Sequence, residues 1–161
     1  MAGVLVAYYS RSGVTEGLAR RLAGRLGADL DPVQPKATYA GAGGFRKGVW
    51  QSLFRSAPPV DFQKDPGGYD IVILGSPVWA GRLSPPMRSY LKRCRGRIGA
   101  VAGFWVSGSG LPYKAVADEI ERLAGRTLLA SADFHEPEVA ADAGEAKLEA
   151  LALSIVQRKG A

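Results

Sequence analysis

Apolar residues along this chain follow two alternating rhythms. A continuous apolar run occupies residues 4–9 (VLVAYY), and largely apolar runs occupy 71–74, 101–106 and 128–134. Runs of that length without strict alternation suit strands covered on both faces, as in a parallel sheet. Between them the apolar positions recur every three or four residues, the period of a helix with one buried face. Leu18, Leu22 and Leu26, with Ala19 and Ala23 beside them, make the first such face. Met87, Tyr90, Leu91 and Cys94 make the second, behind the cap-and-proline start Ser84-Pro85-Pro86. Val116, Ile120 and Leu123 make a third, and Leu148, Leu151, Ala152, Ile155 and Val156 another. A fifth strand is expected near residues 30–34, at an edge because Pro32 cannot donate to a ladder. After it come the glycine-rich run 41–44 and a segment with helical spacing (Phe45, Val49, Trp50, Leu53, Phe54), closed by Pro58-Pro59. Strands alternating with helices predict one α/β domain over residues 1–161, a doubly wound sheet with five strands and five helical segments.

Composition narrows the chemistry. The 161 residues include one Cys and one His, too few for an internal disulfide or a Cys/His zinc site, and the lone His has no nucleophile motif beside it, which argues against a Ser/His/Asp hydrolase. Residues 1–3 carry no basic leader and no apolar run approaches a membrane span, so the expectation is a cytoplasmic protein. The net charge of +6 has a definite location. Arg82, Arg88, Lys92, Arg93, Arg95 and Arg97 stand together without an acid between them, whereas residues 98–161 are net acidic. No nucleic-acid recognition motif accompanies that segment.

In open parallel sheets ligands bind beyond the carboxyl ends of the strands, and three such ends carry candidate chemistry. The first runs into Ser10-Arg11-Ser12-Gly13-Val14-Thr15 and then a helix. Hydroxyls at 10, 12 and 15, a glycine for the tight turn and the free N–H groups of a helix start suit a phosphate monoester. A plain helix cap is the simpler reading of this hexapeptide alone. No Gly-Lys-Ser/Thr follows, which excludes a nucleoside-triphosphate loop. Arg46 and Tyr113 occupy the third-glycine places of the two possible dinucleotide fingerprints, and Ala100 stands where a phosphatase loop after Cys94 needs arginine.

The second end is Gly75-Ser76-Pro77-Val78-Trp79-Ala80-Gly81. A tryptophan there offers a flat face to a planar ring, with glycines that let backbone groups reach ring edges. An indole folded back over the core is equally compatible with the sequence. The third end, Ser107-Gly108-Ser109-Gly110-Leu111-Pro112-Tyr113, presents backbone donors before a proline-started helix. It reads equally as a simple turn.

Taken in order, a phosphate loop, an aromatic loop and a backbone-donor loop on consecutive strand ends resemble the flavodoxin family over almost the whole chain. Residues 10–15 are similar to that family's Ser/Thr-x-Ser/Thr-Gly-x-Thr phosphate loop, and residues 69–79 to its third strand and first isoalloxazine loop. The resemblance implies a five-stranded sheet of order 2-1-3-4-5 and noncovalent FMN. It places Ser10, Arg11, Ser12, Gly13, Val14 and Thr15 at the phosphate. Pro77, Val78, Trp79, Ala80 and Gly81 fall along the ring, with Trp79 stacked on it and the Ala80-Gly81 backbone near flavin N5. Ser107, Gly108, Ser109 and Gly110 fall at the pyrimidine edge, with Tyr113 as a second flanking aromatic. An uninterrupted 128–134 strand is similar to the short-chain branch.

Charge then separates this chain from the acidic carriers of that family. Arg82 follows the Trp79 loop directly, and Lys36, Arg46, Lys47 and Arg55 lie in the acid-free stretch 36–60. A positive rim draws anions: an acidic redox protein, the phosphates of NAD(P)H, or a quinone or carboxylated substrate. Arg88, Lys92 and Arg95, at helical spacing, equally form a solvated helix face. His135 is expected to be structural and Cys94 a small core residue. Two functions remain: an FMN-dependent oxidoreductase or electron carrier, and a binding module of the same fold that has lost flavin.

Overall fold

The computed structural model describes residues 3–36, 46, 57–140 and 142–160. The glycine-rich run 41–44, the helical spacing read over 45–54, and Lys47 and Arg55 lie outside the described residues.

Five strands form the main sheet: β1 (Val4–Tyr8), β2 (Asp29–Pro32), β5 (Ile71–Trp79), β7 (Ala100–Ser107) and β8 (Leu128–His135). Their spatial order is β2-β1-β5-β7-β8, all neighbours parallel, which is the expected 2-1-3-4-5 arrangement. The expected 30–34 strand divides into two. β2 ends at Pro32 on the sheet edge, and β3 (Gln34–Pro35) pairs antiparallel with β4 (Val60–Asp61) in a separate ribbon. Asp31, buried, anchors that ribbon by accepting from the backbone N–H groups of Gln63 and Lys64.

Strand pleating sends alternate side chains into two cores. Leu5, Ala7 and Tyr9 face one layer, Val4, Val6 and Tyr8 the other. The second layer holds α1 (Val14–Leu26) and α4 (Asp142–Lys159), through Leu18, Leu22, Leu148, Leu151 and Ile155. Each fully buried leucine here contributes about 2 kcal/mol relative to exposure. The first layer holds α2 (Pro85–Arg93) and α3 (Lys114–Ala124), through Met87, Tyr90, Leu91, Val116, Ile120 and Leu123. Cys94 sits in that core at 0 % exposure, and burial pushes its thiol up to about 11.

Two features depart from the sequence reading. Gly75–Trp79 is strand: β5 continues to Trp79, pairs with β7 as far as Pro77↔Val106, and turns back into β6 (Arg82–Leu83). The glycine and proline suggested a loop, but Gly75, Ser76 and Pro77 still pair with β7, and Val78 and Trp79 pair with β6. The other correction concerns Arg88, which is 1 % exposed and forms no part of a solvated face with Lys92 and Arg95. Its partner is Glu119 on α3, Nε to Oε2 at 3.0 Å.

Candidate functional site

The carboxyl ends of β1, β5 and β7, with the turn after β8, surround one cavity of about 260 Å³. From the β1 end come Arg11, Ser12, Val14 and Thr15, from β5 Pro77, Val78 and Trp79, and from the β7 end Val106 and Gly108. Glu136 completes the lining.

The first loop is built locally. Ser10 Oγ accepts from the Gly13 N–H at 3.0 Å, closing a tight turn. Gly13 stands at φ 98° as the N-cap of α1, with no side-chain cap on the helix. A residue with a Cβ is disfavoured at that φ. The first N–H groups of α1 therefore have no capping side chain, and they carry the positive end of the helix dipole. Thr15, 3 % exposed, packs at this helix start, and Ser12 and Arg11 are exposed on the loop. Of the six residues expected at a phosphate, Arg11, Ser12, Val14 and Thr15 line the cavity. Ser10 instead borders a second depression with Tyr8, Glu16 and Arg20, its hydroxyl committed to the turn.

The second loop is a two-residue hairpin. Trp79 pairs with Arg82, and the central residues Ala80 and Gly81 both have positive φ, 51° and 71°, as type I′ turns require. Glycine adopts that conformation freely, whereas alanine is strained there by about 1–2 kcal/mol. Trp79 itself is 5 % exposed. Its indole packs in the core edge-to-face with Tyr9, ring centroids 5.7 Å apart, and only its small open portion reaches the cavity. The Tyr113 ring lies beside the turn, 3.6 Å from where a Gly81 Cβ would stand.

The third loop is cross-braced. Ser107 Oγ accepts from Gly110 N–H and Ser109 Oγ from Leu111 N–H. Tyr113, the N-cap of α3, shares a 2.6 Å hydrogen bond with Ser109 through its hydroxyl. His135 has a structural part here: Nε2 lies 3.1 Å from the Gly108 carbonyl, and its ring packs on Gly110. The turn Glu136–Glu138 is fixed by the Glu138 carboxylate, which accepts from His135 N–H. The Lys147 ammonium and that N–H hold the Glu138 carboxyl below the usual range.

Sequence reasoning missed Glu136 and Val106. Glu136 sits just past the end of β8, a strand end that carries no motif but belongs to the same rim by topology. The basic segment also distributes differently from expectation. Helix α2 runs from the hairpin back to the opposite edge of the sheet. There Arg97 pairs with Asp65, and Arg93 donates to the Val60 carbonyl and covers the Phe62 ring. Lys36 faces Asp61 at 3.9 Å. Of the segment 82–97, Arg82 is the cation beside the hairpin turn. It lines a shallow depression of about 230 Å³ with Ala115, Asp118, Glu119 and Arg122. Among the described residues no helix is long and apolar enough to cross a membrane.

The cavity thus joins a helix start without a side-chain cap to an apolar wall. The chain was compared with known proteins. A flavodoxin family model matches residues 3–125. No curated protein sequence matches the chain. Among solved structures, it is similar to a flavoprotein in complex with FMN from Lactobacillus acidophilus NCFM, at 25% identity and TM-score 0.71, over 86% of this chain and 97% of that one. The apo-form of the L. acidophilus flavoprotein is also similar, at 25% identity and TM-score 0.67, over 88% and 97% of the two chains. Oxidised Flavodoxin 2 from Bacillus cereus shares the fold at 20% identity and TM-score 0.61, over 98% and 99%.

Proposed function

The chain belongs to the flavodoxin family, and from that premise we propose that it is an FMN-dependent redox protein passing electrons from a reduced donor to an acceptor. FMN is its cofactor. The single observation that carries this reading is the composition of the cavity: Arg11, Ser12 and Thr15 at an uncapped helix start, facing Pro77, Val78 and Val106. That donor set fits a phosphate monoester, and the apolar wall fits a flat ring system.

Bound FMN supplies electron or hydride transfer, so the chain needs no acid or base of its own at the ring. Its residues bind and orient. The α1 N–H groups, the Ser12 and Thr15 hydroxyls and the Arg11 charge take the phosphate. Gly13 keeps the loop tight enough for those donors to converge. Pro77, Val78, Val106 and the open portion of Trp79 exclude water from one side of the ring site. The backbone of Ala80-Gly81 and of Ser107–Gly110 meets polar ring edges, with Tyr113 flanking the turn. Ser10 contributes through the loop conformation. Glu136 places one negative charge on the rim and disfavours a second anion there.

Arg82 marks where a partner approaches, because it is the cation of its segment nearest the turn. That favours an acidic redox protein or the phosphates of NAD(P)H as donor, with a quinone as a further acceptor class. The purified protein, mixed with FMN, is expected to quench flavin fluorescence at a one-to-one end point. Thr15→Ala should weaken binding about tenfold, the value of one hydrogen bond to a charged group. A protein that leaves FMN fluorescence unchanged is a flavin-free binding module instead. Anaerobic addition of NADPH then separates the activities: bleaching of the bound FMN identifies a reductase, and unchanged absorbance identifies a carrier reduced by another protein.

A further inference from the structure

The buried pair Arg88–Glu119 has no place in the phosphate or ring contacts, yet it touches the hairpin directly. In a two-residue hairpin the residues flanking the turn, here Trp79 and Arg82, exchange the ladder hydrogen bonds. The next pair, Val78↔Leu83, is then a non-bonded one, and the Leu83 N–H and C=O point away from β5. Among the described residues no strand pairs with that side. Instead the Leu83 N–H donates to Glu119 Oε1 at 3.2 Å, and Arg88 Nη2 donates to the Leu83 carbonyl at 2.9 Å. The same Nη2 lies 3.4 Å from Glu119 Oε1 and Arg88 Nε lies 3.0 Å from Oε2. The two side chains therefore take the ladder positions on that side of Leu83, with Leu83 at 0 %, Arg88 at 1 % and Glu119 at 4 % exposure. One residue further on, the Ser84 N–H donates to Ser76 Oγ at 3.2 Å, so β6 is held on both sides.

A buried ion pair is not an economical source of stability, since apolar side chains of similar volume often serve as well or better. What it does supply here is a fixed position for the return strand of a turn whose first central residue, Ala80, is strained. We propose that Arg88 and Glu119 are positioning residues that hold the Ala80-Gly81 turn in the conformation presented to the cofactor, so that they set flavin affinity and midpoint potential without touching the flavin. This rests on the FMN reading above.

The test uses the double variant Arg88→Met/Glu119→Leu, which removes both charges together, and the milder Arg88→Lys, which keeps a cation opposite Glu119 but loses the guanidinium fork. Amide hydrogen exchange is followed in the FMN-free proteins, and FMN affinity and midpoint potential in the loaded ones. In the unmodified protein the Leu83 amide should exchange as slowly as those of β5. In either folded variant residues 80–83 should exchange at least tenfold faster. FMN should bind about tenfold more weakly in one of its two oxidation states, a shift of about 30 mV for a two-electron couple. Wild-type exchange at residues 80–83, or wild-type FMN affinity and midpoint, in either folded variant overturns the proposal, as does a rapidly exchanging Leu83 amide in the unmodified protein. If the unmodified protein takes no FMN, the cofactor reading fails. The exchange arm still decides whether the pair clamps the turn.

Discussion

Two loops at the same edge of the sheet, residues 10–15 and 79–83, are held in opposite ways. The first is closed by a bond three residues long, Ser10 Oγ to Gly13 N–H, and its helix start carries no side-chain cap. The second is closed by a turn that strains Ala80, and its return strand is held by side chains from two helices. On the function proposed above, a loop that leaves its donors open to a phosphate is best shaped from within, and a backbone segment that meets a ring edge is best fixed from outside, where packing over-determines it.

Three substitutions would break or sharpen that contrast. Glu119→Ala carries the largest expected effect. It removes the carboxylate that pairs with the buried Arg88 and accepts from the Leu83 N–H, and should lower unfolding free energy by about 3–5 kcal/mol in urea titration. A loss below about 1 kcal/mol would mean that β6 is held by its pairing with β5 alone. Ala80→Gly is next and opposite in sign. Relief of the left-handed strain, set against the greater freedom of glycine when unfolded, should stabilise the protein by about 1 kcal/mol. The same change should leave the turn less firmly directed, visible as faster amide exchange at 80–81. Ser10→Ala should be smallest, about 0.5–1 kcal/mol for one exposed hydrogen bond, with its effect confined to protection of the Gly13 amide. If Ser10→Ala disturbed residues 79–83, the two loops would not be independently held.

Legibility in the sequence followed the range of the interactions concerned. The strands at 4–9, 71–74, 101–106 and 128–134 and the described helices were readable because a strand or helix face repeats within a few residues. So were the tight turn at Gly13 before α1 and the helix start behind Ser84, where Pro85 and Pro86 fill the first positions. Even there the cap differed in detail, since the Ser84 side chain bonds Ser76 rather than its own helix. Trp79 was ambiguous on the page of letters. The fold places most of its surface against Tyr9 and the core, because β5 runs two residues past its pairing with β7 before turning.

Arg88 shows the limit most clearly. At helical spacing with Lys92 and Arg95 it reads as one more solvated cation, and nothing within its own helix says otherwise. Its partner stands 31 residues away on α3, and the groups that both satisfy belong to the backbone of β6. Local periodicity and turn chemistry encode which segments become strands, helices and loops, and so determine the fold class, the strand ends and the tight turn into α1. Which charges are buried, and which loop they hold, depends on elements distant in sequence meeting at one point, and only the folded chain decides that. The physical reason is that a buried charge is tolerable only beside its partner, and the partner is chosen by topology.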